Sequence, residues 1–397
     1  MFGGVSYMGT KRQLAGRVAA AIADCRQGPF VDLFAGMCSV GSAVAPTRQV
    51  WSNDVQHFAH QVAVAHFCSN ELPISAMDAA HKTAPYFLTV RKATEIKYEQ
   101  GIAREHKAVA AGSVAILADL FEQALEVRTR KQRRATHDLF TSSFAGTFFG
   151  YRQCIEIDSI RVALDMLLDD RELSADGHRW LLIALCVAIS RCSNSTGHFA
   201  QALRPKKKNL NRLLSQRRRS VWSEWLTALS TLAPVGSRSW RARNKVFRCE
   251  AVSLLRSLAE SRDLPRVVYA DPPYTKDQYS RYYHVYETLL LYDYPPQSGR
   301  GQYRPDRWTS AFSLASQVDQ AMSDLIASCA ALNCDLVVSY PTNGLLPSSR
   351  HRIPELIQQH YGKLPAVVQM RHSHSTMGAS KGAATTPVTE MLYQVRS

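Results

Sequence analysis

The order of apolar runs along the chain predicts an α/β fold, with a mainly parallel seven-stranded sheet, helices on both faces and a large, mostly helical insert. First, seven β-rich runs recur: Phe30 to Phe34, Gln49 to Ser52, Lys245 to Cys249, Val267 to Asp271, Asp335 to Tyr340, Pro365 to Met370 and Val388 to Val395. Helical spacing separates most of them, and that alternation builds parallel sheets covered on both faces. Second, the alternation stops between about residues 60 and 245, which puts the insert between the second and third strands. Third, acids stand where the first four runs end: Asp32, Asp54, Glu250 and Asp271. The carboxyl ends of parallel strands are where open α/β sheets place their ligands.

Taken in order, Tyr7-Met-Gly-Thr-Lys11 precedes a helical pattern through Leu14, Val18 and Ile22. A glycine-bearing loop that opens a helix presents free N–H groups, and a lysine there can hold a carboxylate. The run from Phe30 leads into Ala35-Gly36-Met37-Cys38-Ser39-Val40-Gly41 and then a helix, a strand–glycine turn–helix unit suited to a nucleotide-type ligand. The phosphate fingerprint Gly-x-Gly-x-x-Gly is absent from it, which disfavours a dinucleotide. Asp54 follows Asp32 by 22 positions, close to the spacing at which an acid reaches ribose hydroxyls.

In the insert, residues 104 to 134 read as one long helix or two, ending in the basic run Arg128 to Arg134. A buried helix is expected through Trp180 to Ile189. The segment from Arg191 to Phe199, the lysines Lys206 to Lys208 and the arginines Arg217 to Arg219 read as a flexible basic region able to meet phosphates and base edges.

Composition narrows the partners. The chain of 397 residues is long enough for a large core, and 46% apolar with 20% charged residues describes a globular protein. A formal charge of +15 makes a polyanion the simplest partner. Met1 to Tyr7 has neither a basic nor an apolar region of the secretory type. The longest uncharged apolar run, Trp180 to Ile189, falls far short of the ~20 residues a bilayer requires. Nine scattered cysteines, never spaced Cys-x-x-Cys, argue against a disulfide framework and a zinc site. A reduced, cytoplasmic protein without a metal is expected.

The sharpest chemical signal is Val267-Val-Tyr-Ala-Asp-Pro-Pro-Tyr274. Two prolines carry no N–H, so the chain leaves the sheet here in a stiff, extended form. A carboxylate, a bare carbonyl and a ring then lie close together, which suits a planar group bearing an exocyclic NH2. These residues resemble the α group, or D12 class, of DNA adenine-N6 methyltransferases, well over residues 1–60 and 245–290 and loosely beyond. The resemblance implies a Rossmann-like methyltransferase fold that uses S-adenosylmethionine. It implies a cofactor site of Tyr7, Gly9, Lys11, Asp32, Phe34, Gly36, Asp54, Glu250 and Asp271. Within that site Tyr7, Gly9 and Lys11 hold the methionine part, Asp54 the ribose, and Glu250 lies near the adenine. It also implies catalysis by Asp271, Pro272 and Tyr274 on a flipped-out adenine in double-stranded DNA.

The domain division expected is 1–60 and 245–397 for the methyltransferase, with 61–244 recognising the target. A cognate restriction endonuclease is an implied partner. Cys38 stands where the family usually has glycine, so its side chain is expected to weaken or re-pose the donor. Lys276, Tyr279 and Tyr283 are candidates for a lid, and His284 reads as a packing residue. Cytosine-N4 or RNA adenine methylation, or a non-catalytic nucleic-acid-binding subunit, stays open on the residues alone.

Overall fold

A computed structural model of the protein describes residues 11–126, 137–375 and 385–397. Seven strands form one sheet: β1 (Phe30–Asp32), β2 (Val50–Asn53), β3 (Lys245–Phe247), β4 (Val267–Ala270), β5 (Asp335–Pro341), β6 (Ala366–Ser375) and β7 (Thr385–Val395). Their spatial order is β3-β2-β1-β4-β5-β7-β6. The pairs β1–β2, β1–β4, β2–β3 and β4–β5 are parallel. The last strand, β7, lies antiparallel between β5 and β6. All seven runs anticipated from the sequence are strands of this one sheet, although β1 stops at Asp32 and Leu33 and Phe34 already belong to the turn.

Side-chain alternation sorts the sheet into two cores. Phe30, Val50, Val267, Tyr269 and Val337 point to one face, where they meet the helices Ala15–Ala23 and His57–Phe67 and much of the insert. Val31, Trp51, Val268, Ala270 and Leu336 point to the other, under the helices Ala251–Ala259, Val318–Ala331 and Ser349–Tyr361. A strand with both faces covered needs apolar residues at every position, which is what Val-Val-Tyr-Ala in β4 supplies.

The insert is helical, as its pattern predicts. Helix Ala175–Cys192 is apolar nearly all round, and Trp180 to Ile189 are all buried. A helix of that kind belongs inside a core. Its start is fixed by Ser174, whose side chain accepts a hydrogen bond from the Gly177 N–H at 2.9 Å. The stretch after residue 99 is two helices, Glu99–Ala110 and Val114–Glu126, broken at Gly112, whose φ of +61° ends the first. These two and Leu210–Arg218 share a small outlying cluster of Ala108, Leu117 and Leu213. The basic run Arg128 to Arg134 lies outside the described residues. Among the described residues, no helix is long and apolar enough to cross a membrane.

Two expectations about the insert need correction. The segment 192–199 is packed rather than loose: Cys192 to Ser195 are buried, and Asn194 is held by Phe148 O and Leu203 O at 2.7 and 2.6 Å. Arg217 is no surface cation either. It is 7% exposed, paired with Glu105 at 3.3 Å, and donates to the carbonyls of Thr147 and Phe148. Lys206, Lys207, Lys208, Arg218 and Arg219 remain exposed.

Candidate active site

The strand order reverses between β1 and β4, since the chain runs outward to β2 and β3 on one side and to β5 on the other. A crevice opens at the carboxyl ends of such neighbours. A cavity of about 470 Å³ occupies this place, within the range of small-molecule sites. The acids beyond three strand ends, Asp32, Asp54 and Asp271, all line it, as do Lys11, Phe34, Gly36, Glu250 and Tyr274. Tyr7 and Gly9 lie outside the described residues.

Each wall is set by local chemistry. The turn after β1 needs a left-handed residue, supplied by Gly36 at φ +47°. Its N–H donates to Asp54 Oδ2 at 3.0 Å, while Asp54 Oδ1 accepts from the Gln56 N–H at 2.9 Å. Asp54 thus ties the glycine turn to the loop after β2. Burial pushes its carboxyl up to about 6. Glu250 caps the helix behind β3, accepting from the Ser253 N–H at 2.8 Å. Phe34 meets Phe312 edge to face at 5.5 Å between centroids.

The floor is acidic. Asp32 is 2% exposed, and its Oδ1 accepts no hydrogen bond among the described residues. Burial, then the charge of Asp271, pushes its carboxyl up to about 8. Lys11 lies across this floor. Its ammonium donates to Glu390 Oε1 at 2.7 Å and forms an ion pair with Asp271 Oδ1 at 2.9 Å. It also sits 5.6 Å from the centre of the Tyr274 ring. Burial alone would lower the lysine's pKa, but Asp271 and Glu390 outweigh it and hold the group cationic. The carboxylates that Lys11 holds here are the protein's own.

Glu390 is a residue that sequence reading passed over. It is 2% exposed on β7 and also accepts from Ser339 Oγ at 2.6 Å. The available signal was a single acid inside the β-rich run Val388 to Val395. Of the two prolines, Pro273 lines the cavity; Pro272 is buried and does not.

The lid candidates divide. Tyr279 lines the cavity and Lys276 is exposed, but Tyr283 is fully buried and packs its ring parallel to Tyr286. Tyr283 is therefore a core residue of helix Ser280–Leu291 and cannot serve in a lid. His284 on the same helix is buried, and its Nε2–H donates to the Phe199 carbonyl at 2.9 Å. Burial pushes it down to about 3, so it packs as a neutral ring.

Cys38 also departs from expectation. Met37 and Ser39 line the cavity, whereas Cys38 is fully buried in the core on the sheet's insert side. Its φ is +60°, at the entry to helix Ser39–Val44. A glycine relieves backbone strain at such a position, and the sulfur takes no space from the cavity.

Comparison with known proteins agrees with this geometry. A family model for the D12 class N6 adenine-specific DNA methyltransferase matches residues 7–142 and 180–330. The chain is 22% identical over 344 residues to Modification methylase LlaI of Lactococcus lactis subsp. lactis, covering 86% of this chain and 47% of that protein. It is 25% identical over 323 residues to Type II methyltransferase M.FokI of Planomicrobium okeanokoites, covering 80% and 41%. With Type II methyltransferase M.NlaIII of Neisseria lactamica it shares 20% identity over 295 residues, covering 73% and 70%. The chain thus spans less than half the length of the first two relatives.

Proposed function

The chain belongs to the D12 class N6 adenine-specific DNA methyltransferases, and from that premise we propose that it methylates the N6 amino group of a flipped-out adenine in double-stranded DNA, with S-adenosylmethionine as donor. The observation that carries this reading is the joint placement of Asp32, Asp271, Pro273 and Tyr274 around one cavity at the point where the strand order reverses.

The residues suit the donor. A buried carboxylate oxygen without a hydrogen bond, on an acidic floor, favours a cation, and a sulfonium is one. Asp54 already spends one lone pair on each oxygen, and each oxygen retains another for a hydroxyl. Phe34 and Phe312 offer apolar walls for a purine. When bound, the donor supplies an electrophilic methyl group on sulfur.

The chain's own part is to hold and aim the amine. An adenine cannot react inside the duplex, and extruding it costs a few kcal/mol. Stacking on Tyr274 offsets part of that cost. The amine's lone pair is delocalised into its ring; hydrogen bonds from its two N–H groups to Asp271 and to the backbone carbonyl of Pro272 make the nitrogen more tetrahedral and nucleophilic. Lys11 fixes the Asp271 carboxylate in place, a positioning role that spares reorganisation during transfer. The N–C bond forms as the C–S bond breaks, its electron pair stays with sulfur, and one amine proton leaves to solvent.

In this reading residues 1–60 and 245–397 form the methyltransferase unit and 61–244 engage the target, with Lys206 to Lys208 toward phosphates. The relatives' names support a modification role beside a restriction endonuclease, in the cytoplasm. The test is expression in a methylation-free host followed by genome-wide mapping of modified bases. N6-methyladenine in one sequence context supports the reading; N4-methylcytosine or no modified base overturns it.

A further inference from the structure

The strap from residue 293 to 310 passes over the cavity mouth and carries three arginines that are treated differently. Arg304 is 4% exposed and neutralised twice, by both oxygens of Asp293 at 2.7 Å and by Asp306 at 3.1 and 2.9 Å. That network pins the strap. Two further ties bind it to the start of helix Ser280–Leu291: Ser280 Oγ donates to Trp308 O at 2.7 Å, and the Ser310 N–H donates to Gln278 Oε1 at 2.7 Å. Trp308 lines the cavity and is 43% exposed, so it marks the rim.

Beside this rim two guanidinium groups converge on one ring. Arg307, next to Trp308, lies 4.6 Å from the Tyr303 centroid; Arg281, next to Ser280, lies 5.3 Å from it and donates to the Tyr303 hydroxyl at 3.2 Å. Tyr303 is itself anchored to the insert, its hydroxyl donating to the Ala200 carbonyl at 2.5 Å. Among the described residues, neither arginine makes an ion pair with a carboxylate within 4.0 Å, and the nearest acidic influence on Arg281 is Asp277. Bringing two like charges to one ring without a counterion is unfavourable unless an anion joins them. Stacked guanidinium groups, with their planar forks exposed, match phosphate oxygens in geometry.

We propose that Arg281 and Arg307, held on Tyr303 at the cavity mouth, clamp a backbone phosphate next to the nucleotide whose base enters the cavity. This rests on the adenine-flipping reading above and adds the site that holds the extruded strand. A base swung out of the duplex carries its flanking phosphates to the rim, and two fixed cations there favour the extruded form over the stacked one.

The test uses the full chain with arginines changed to Arg281→Gln, Arg307→Gln, both together, and Arg307→Lys. Binding to unmethylated plasmid DNA is measured against salt, with donor binding by calorimetry and melting temperature on the same samples. Each Gln change should flatten the log–log salt slope by about 0.9, and Arg307→Lys should keep it. Donor binding should be unchanged. Wild-type slopes in both Gln variants and the double overturn the clamp while leaving methylation intact. A slope lost equally in Arg307→Lys also overturns it, because charge would then not be what matters. If Arg307→Gln melts early, Arg281→Gln and Arg307→Lys carry the test. A wild-type protein that binds donor but no DNA overturns the parent reading and the clamp together.

Discussion

The Nζ of Lys11 stands 2.9 Å from Oδ1 of Asp271, so the residue that opens the first described helix grips the acid that follows the central strand. Glu390, 2.7 Å from the same ammonium, completes a buried carboxylate–ammonium–carboxylate set. Removing the central cation leaves two buried acids beside a third, Asp32. Lys11→Met is therefore expected to cost about 3–5 kcal/mol in stability. Glu390→Gln keeps the shape and should cost less, while lowering turnover more than donor affinity, because it acts on Asp271 only through Lys11. Denaturant unfolding and a separate measurement of kcat and donor Kd check both.

Asp32 gives the site a pH signature. With its carboxyl at about 8 in the free protein, a cationic donor must displace a proton to meet the ionised form. Donor binding should weaken by up to about tenfold per pH unit below 8, with proton release on binding. The neutral thioether product should show a shallower dependence. For folding the sign is opposite: a carboxyl raised from 3.8 to about 8 favours the fold below about pH 4, and that contribution is lost as pH rises through 8. Asp32→Asn should thus raise the melting temperature of the donor-free protein more at pH 8 than at pH 6.

Cys38 is expected to be neutral for the donor. Cys38→Gly relieves about 1–2 kcal/mol of left-handed strain and loses about 1 kcal/mol of buried side chain. Melting temperature should move little, and calorimetry should give an unchanged donor Kd. A weakened Kd would mean that this turn meets the donor through more than its backbone.

The basic stretches separate into two kinds. Neutralising Lys206, Lys207 and Lys208 should flatten the salt slope of DNA binding by about 0.9 for each phosphate that no longer meets a cation. Arg217→Gln should instead destabilise the fold by about 3–5 kcal/mol, since Glu105 is left buried without its partner. Salt-dependent binding and thermal melts on the two variants check the difference.

Much of this was legible in the chain. The seven strands were, because β-rich runs with turn residues between them follow from local sequence, and the acids at strand ends marked the crevice. Glu390 was not, because its importance comes from β7 lying between β5 and β6, a long-range pairing with no local signature. Arg217 and Arg219 read alike in sequence; only the packing against Glu105 tells them apart. Tyr283 looked like a lid residue for a similar reason, as its helical position decides which way it faces.

Whether Asp271 carries the chemistry is decided by labelled-methyl transfer to DNA from the wild type and from Asp271→Ala, with donor and DNA binding measured on the same samples. The wild type should yield N6-methyladenine, and the variant should lose transfer by at least about 10²–10³-fold while still binding DNA. Transfer that survives the loss of the Asp271 carboxylate would contradict the proposed mechanism.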